Sequence, residues 1–196
     1  AWYIAIFDGE KIVREGMDYT EEGVMTAVYL PTVVADYEAT VDGRAQRYGC
    51  SGIDGVSFGP AFGRLYGKHY LTCAYGIRGD TTRTDNDYQV LLQYDVTRWR
   101  TRYERPLRQE DLHQSGPSKP KGKYFVYTGN TEWGVQNLVY DIWRDQWLLF
   151  VYRGKKSAFR NRTLYVVNGA IAPRKERLIG MPGNEKGQVL TLLNRG

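Results

Sequence analysis

An all-β fold is what this sequence predicts, on three observations. Tyrosine and tryptophan are abundant, at 16 and 5 of 196 residues, and aromatic side chains of this kind suit the pleated, half-buried surface of a strand. Glycine occurs 22 times, which fits many short turns. Between the turns lie short apolar or alternating runs, and no segment carries a convincing helical period. A chain of 196 residues is long enough for one good core, so residues 1–196 are read as a single domain. An apolar content of 42% excludes a disordered chain.

Taken in order, Trp2–Phe7 is an apolar run that meets the turn signal Asp8-Gly9 and predicts a hairpin with Lys11–Arg14. Val24–Tyr29 and Thr32–Ala35 read as strands on either side of Pro31. Tyr37–Val41, Asp42-Gly43 and Arg44–Ser51 read as a second hairpin. The glycine-rich stretch 52–67 reads as a long ordered connection. Tyr70–Tyr75 and Tyr88–Tyr94 are strands flanking a charged loop. Tyr124–Thr128, the pair Gln136–Asp141 and Gln146–Tyr152, Thr163–Val167 and Val189–Leu193 complete the strands. Glu104–His113 is the best helix candidate, and it is a poor one.

The net charge is +5. One basic cluster comprises Arg98, Arg100, Arg102, Arg105 and Arg108, and another runs from Lys155 to Arg162. If residues 98, 100 and 102 belong to a strand, they share one face and form a stripe suited to phosphate or nucleic acid; a solvated strand face is the plainer reading, and no nucleic acid is expected. Cys50 and Cys73 lack CxxC spacing, and only His69 and His113 are available to help them, so no structural zinc site is expected. No run is long and apolar enough for a membrane helix. The strand-like opening at Ala1, without an initiator methionine, is what an excised piece of a longer chain presents.

Repeats are the strongest long-range signal. Trp2-Tyr-Ile-Ala-Ile-Phe-Asp-Gly-Glu-Lys11 parallels Trp147-Leu-Leu-Phe-Val-Tyr-Arg-Gly-Lys-Lys156, and Tyr94-Asp-Val96 parallels Tyr140-Asp-Ile142. Dividing the spacing of the first pair by three gives units of about 48 residues, within propeller-blade periods. On these residues, covering about half the chain, the sequence resembles the β-propeller superfamily. That resemblance implies about four blades, and it leaves room for a five-bladed ring completed by another chain or segment. The Ser-x-Asp-x-Gly-x-x-Trp box of sialidase-like propellers and the Gly-His…Trp-Asp signature of the WD40 type are both missing.

The leading candidate site is Asp80, Arg83, Asp85 and Asp87, with Tyr88 opening the strand that follows. Clustered carboxylates could hold calcium or supply the acid and base of glycosidic cleavage. An ion-paired, solvated turn is the plain alternative. Glu132 and Trp133 form a second candidate, since an indole can stack on a sugar ring while the carboxylate bonds its hydroxyls. His113 is a further binding candidate. The expectation is a carbohydrate-recognising domain, catalytic through Asp80, Asp85, Asp87 or Glu132 if it is a glycoside hydrolase, with Arg83, Trp133, His113 and Tyr88 contacting substrate. The competing expectations are a non-enzymatic scaffold using the Arg98–Arg108 stripe, and a structural segment with no site of its own.

Overall fold

The computed structural model describes residues 1–193. It is mostly β, with 13 strands among the described residues, and the strands form separate sheets. The strands are β1 (Tyr3–Phe7), β2 (Met25–Tyr29), β3 (Thr40–Val41), β4 (Arg44–Ala45), β5 (Cys50–Pro60), β6 (His69–Ile77) and β7 (Tyr88–Tyr94). They continue with β8 (Gly122–Tyr127), β9 (Glu132–Asp141), β10 (Gln146–Tyr152), β11 (Leu164–Asn168), β12 (Arg174–Arg177) and β13 (Lys186–Val189). Two short helices are α1 (Pro31–Glu38) and α2 (Trp99–Arg102). No helix among the described residues is long and apolar enough to cross a membrane.

A six-stranded sheet in the order β12-β13-β8-β7-β6-β5 forms the middle of the molecule. Its pairs are antiparallel apart from β13 on β8, which is parallel with Val189 opposite Phe125. Strands β6 and β7 are buried along nearly their whole length. Side chains alternate across a strand, so each strand feeds two cores. Leu71, Cys73, Tyr75 and Ile77 of β6 join Tyr88, Val90, Leu92 and Tyr94 of β7 in the first core, beneath Val28, Leu30 and Val33 of β2 and α1. Ala74, Leu91 and Val126 face the second core, where Leu138, Trp147, Leu149, Tyr165 and Val167 come from the three-stranded sheet β11-β10-β9. A sheet covered on both faces reads as unbroken apolar sequence. Two polar side chains lie inside with their amide N–H groups bonded: Gln93 donates to the Pro60 carbonyl at 3.0 Å and Gln89 to the Thr131 hydroxyl at 2.9 Å, while the amide oxygen of each has no hydrogen-bond partner among the described residues.

These layers overturn the propeller expectation. The strands build a six-stranded sheet with smaller two- and three-stranded sheets, and nothing in them is closed or ring-like. The two Trp-containing segments that suggested a repeat occupy unlike places. The first is β1 of a two-stranded ribbon, followed by a 3-10 turn at Gly9–Lys11. The second is β10, the central strand of its sheet. Apolar alternation ending in a charged turn is common to both, and that shared local requirement produced the likeness.

Other elements also differ. β1 pairs with β2, not with Lys11–Arg14. Thr32–Ala35 lies in α1, where Pro31 sits in the first turn, a position that needs no N–H donor and suits the fixed φ of proline. The glycine-rich stretch after residue 50 is β5, an edge strand with two bulges. Its glycines permit close approach: a Cβ at Gly59 would strike the Trp147 ring, and one at Gly55 would lie 2.9 Å from the Val135 carbonyl. Glu104–His113 is not helical. The last strand ends at Val189, with only an isolated bridge from Leu192 to Val167 beyond it.

Candidate functional site

The charged loop between β6 and β7 is tied down at almost every polar atom. Arg83 donates from Nε and a terminal nitrogen to the two carboxylate oxygens of Asp85, at 2.9 and 2.8 Å. The same guanidinium reaches the carbonyls of Ala45 and Gln46, at 2.8 and 2.9 Å. Burial alone would raise the Asp85 pKa, but the Arg83 fork and the charge of Arg44 outweigh it and hold the carboxyl below its usual range. Asp80 is exposed and caps a turn, accepting from the Thr82 amide and hydroxyl at 2.8 and 2.7 Å; those bonds lower its pKa. Asn86 spans the loop by donating to the carbonyls of Arg78 and Asp80, both at 2.9 Å.

Asp87 is engaged from a distant part of the chain. Lys156, in the loop after β10, forms an ion pair with it, and both side chains are less than a tenth exposed. The Lys156 ammonium also donates to the Arg83 carbonyl and, at 3.0 Å, to Asn86 Oδ1. Burial raises the Asp87 pKa by more than the lysine lowers it. Next along that loop, Lys155 pairs with Glu132, whose side chain lies over Gly79. The structure therefore brings Asp80, Arg83, Asp85, Asp87 and Glu132 into one region, with Asp85, Asp87 and Glu132 each on a cation. The sequence placed Lys156 in a basic run, but its pairing with Asp87 was hidden because the partners are 69 residues apart and no local pattern marks them.

The remaining candidates are scattered. Tyr88 is core, and its hydroxyl accepts the Ile179 N–H at 2.9 Å. His113 Nδ1 accepts the Ser115 N–H at 3.2 Å and Nε2 lies 3.3 Å from the Arg105 carbonyl. Trp133 is different: its indole is 60% exposed and its backbone φ is 64°, a left-handed conformation that L side chains rarely adopt. Among the described residues no group of three His, Cys, Asp or Glu gathers to hold a metal ion. Cys50 and Cys73 are buried free thiols; the Cys50 thiol faces the Val33 carbonyl at 3.7 Å.

A second region has the opposite character. Arg98 caps the start of the single turn of α2 and Arg102 ends it, so they are helix neighbours four residues apart rather than members of an alternating strand. They line a cavity of about 580 Å³ with Lys68, Lys119, Lys121 and Asp95. Arg100 points elsewhere, toward Glu104 and β1. Tyr94 and Trp99 form the buried floor, their rings 5.7 Å apart, and Tyr103, Pro117 and Pro120 supply apolar wall. Asp95 is the single carboxylate on this cavity. It is held by Lys68 at 2.6 Å and by the Thr97 hydroxyl and amide at 2.6 and 3.0 Å, bonds that keep it well below the usual carboxylate range. Lys121 sits over the Tyr70 ring at 4.7 Å. Sequence gave the arginines of this cleft but not Lys68, Lys119 or Lys121. The Lys-Pro-Lys run at 119–121 was the available signal.

The fold and this cleft define a layered, mostly β protein with a basic surface cavity. Compared with family models, curated proteins and solved structures, the chain matches none.

Proposed function

We propose that this chain is a binding module, not a hydrolase, and that its cleft takes an acidic oligosaccharide. What carries this reading is the charge imbalance of the cleft: Lys68, Arg98, Arg102, Lys119 and Lys121 surround one carboxylate, already engaged by Lys68. A cavity of about 580 Å³ is within the range of small-ligand sites. Cations set around apolar wall suit a ligand whose ring faces are apolar and whose edges bear carboxylates or sulfates. Tyr103, Pro117 and Pro120 provide the wall. Glycosidic cleavage requires two carboxyl groups facing one bond, whereas this cleft has one. Of the four candidate catalytic carboxylates, Asp85, Asp87 and Glu132 are bound to Arg83, Lys156 and Lys155, and Asp80 caps its own turn through Thr82.

The test is calorimetric titration of the full chain with polygalacturonate oligomers, their neutral methyl esters and poly-glutamate, in wild type and in Arg98→Gln/Arg102→Gln. The reading expects binding of the acidic oligomers, weakened at least tenfold in the double variant and by salt. Equal binding of the neutral esters, or an unaffected double variant, overturns it. Poly-glutamate binding as tightly as the polyuronate replaces the sugar with an acidic polypeptide and overturns the ligand class.

A further inference from the structure

A second concentration of positive charge lies on a different layer of the molecule, in the loop joining β10 to β11. Arg153, Arg160 and Arg162 line one cavity of about 480 Å³, with Asn161, Thr163 and Leu164. Among the described residues none of these arginines has a salt-bridge partner, although the adjacent Lys155 and Lys156 both do. Arg153 Nε donates to the Asn161 carbonyl at 2.9 Å, which orients that guanidinium and leaves its terminal nitrogens unspent.

The loop is built rather than merely exposed. Asn161 adopts φ 48° and its side-chain amide donates to the carbonyls of Lys156 and Phe159, at 2.7 and 3.0 Å. Phe159 packs edge-on against Tyr127, with ring centroids 5.5 Å apart. Lys156 anchors the loop's first turn to Asp87. Arg153 and Arg160 are exposed and Arg162 is half-buried, which leaves the cluster open to an anion from solvent. Guanidinium groups offer N–H donors in a fixed fork, and three of them together exceed what one planar carboxylate can accept. A tetrahedral anion with three terminal oxygens matches them better.

We propose that the Arg153–Arg160–Arg162 loop is a second ligand site, binding the tetrahedral oxyanion of a phosphate or sulfate monoester. It stands apart from the basic cleft and does not depend on that cleft's ligand. Inorganic phosphate, inorganic sulfate and malonate are titrated separately into the full chain by calorimetry, at fixed ionic strength in chloride. Wild type is compared with Arg160→Gln/Arg162→Gln, with Arg160→Lys/Arg162→Lys, and with the cleft variant Arg98→Gln/Arg102→Gln. The expected result is saturable binding of phosphate or sulfate, at least tenfold weaker in the glutamine pair, partly restored by the lysine pair and unchanged in the cleft variant. The tighter of the two oxyanions distinguishes a phosphate ester from a sulfate ester. No binding of either, malonate binding as tightly, or an equal loss in the cleft variant overturns the site.

Discussion

Replacing Lys156 with methionine keeps the aliphatic stem and removes the charge that meets Asp87. The two side chains are 9% and 8% exposed, so the carboxylate left behind stays out of water with no cation. Breaking a buried pair from one side costs about 3–5 kcal/mol, and Asn86 Oδ1 and the Arg83 carbonyl lose their donor as well. At about 2–4 °C per kcal/mol for a chain of this length, the melting temperature should fall by about 6–20 °C. Asp87→Asn leaves the lysine charged but keeps an acceptor, and about 2 kcal/mol is expected. The double variant buries neither charge, so its loss should be smaller than the sum by at least about 1 kcal/mol.

Urea unfolding followed by circular dichroism measures all three variants. The pH dependence has a definite sign. The folded Asp87 pKa is already raised, and removal of Lys156 raises it further. The folded state then holds a proton that the unfolded state releases above about pH 4. The Lys156→Met defect is therefore largest at neutral pH and shrinks as the pH falls toward 4. A loss within about 0.5 kcal/mol, the level of an ordinary surface change, would refute the buried-pair reasoning.

Three further outcomes follow from the structure. Trp133→Gly should stabilise the chain by about 1 kcal/mol, because glycine accepts the left-handed backbone without strain; a lower melting temperature would mean the indole packs more than its exposure implies. Gly59→Ala should cost about 1–3 kcal/mol by driving a methyl into Trp147, and an unchanged unfolding midpoint would contradict the tight contact of β5 with β10. Burial pushes the Cys50 thiol up to about 12 and raises that of Cys73 as well, so a thiol reagent at pH 8 should titrate neither until denaturant is added. Prompt reaction of one thiol in the native protein would place it at the surface.

The strands that sequence revealed are those whose burial is simplest. β6 and β7 lie between two cores, and β10 alternates between buried and more open positions, so their patterns are strong. β5 was hidden because its glycines serve neighbouring strands: Gly55 and Gly59 admit Val135 and Trp147, which no local rule anticipates. The helix α1 was hidden by its Thr-Val-Val content, a β-favouring run that tertiary packing of Val33 overrides. At the charged loop, the density of Asp and Arg that makes the Arg83–Asp85 pair was visible, whereas the cation on Asp87 comes from distant Lys156. Charge content is local and charge pairing need not be. The basic cleft was half legible for the same reason, since it draws on residues 68, 98, 102, 119 and 121.

The position of β13 has a consequence for how the chain assembles. β8 joins the growing sheet beside β7, yet its other edge is filled by β13, after the whole three-stranded sheet has intervened. About 60 residues separate the two strands, and at roughly 5–20 residues per second of synthesis β8 waits about 3–12 s for its neighbour. During that interval Phe125 lacks its later cover from Gly187, and a row of backbone N–H and C=O groups is open to any other extended segment. Two nascent copies on one messenger would meet at that edge before either could close it. Aggregation during expression should thus depend on the supply of the final strands more than on the stability of the finished fold.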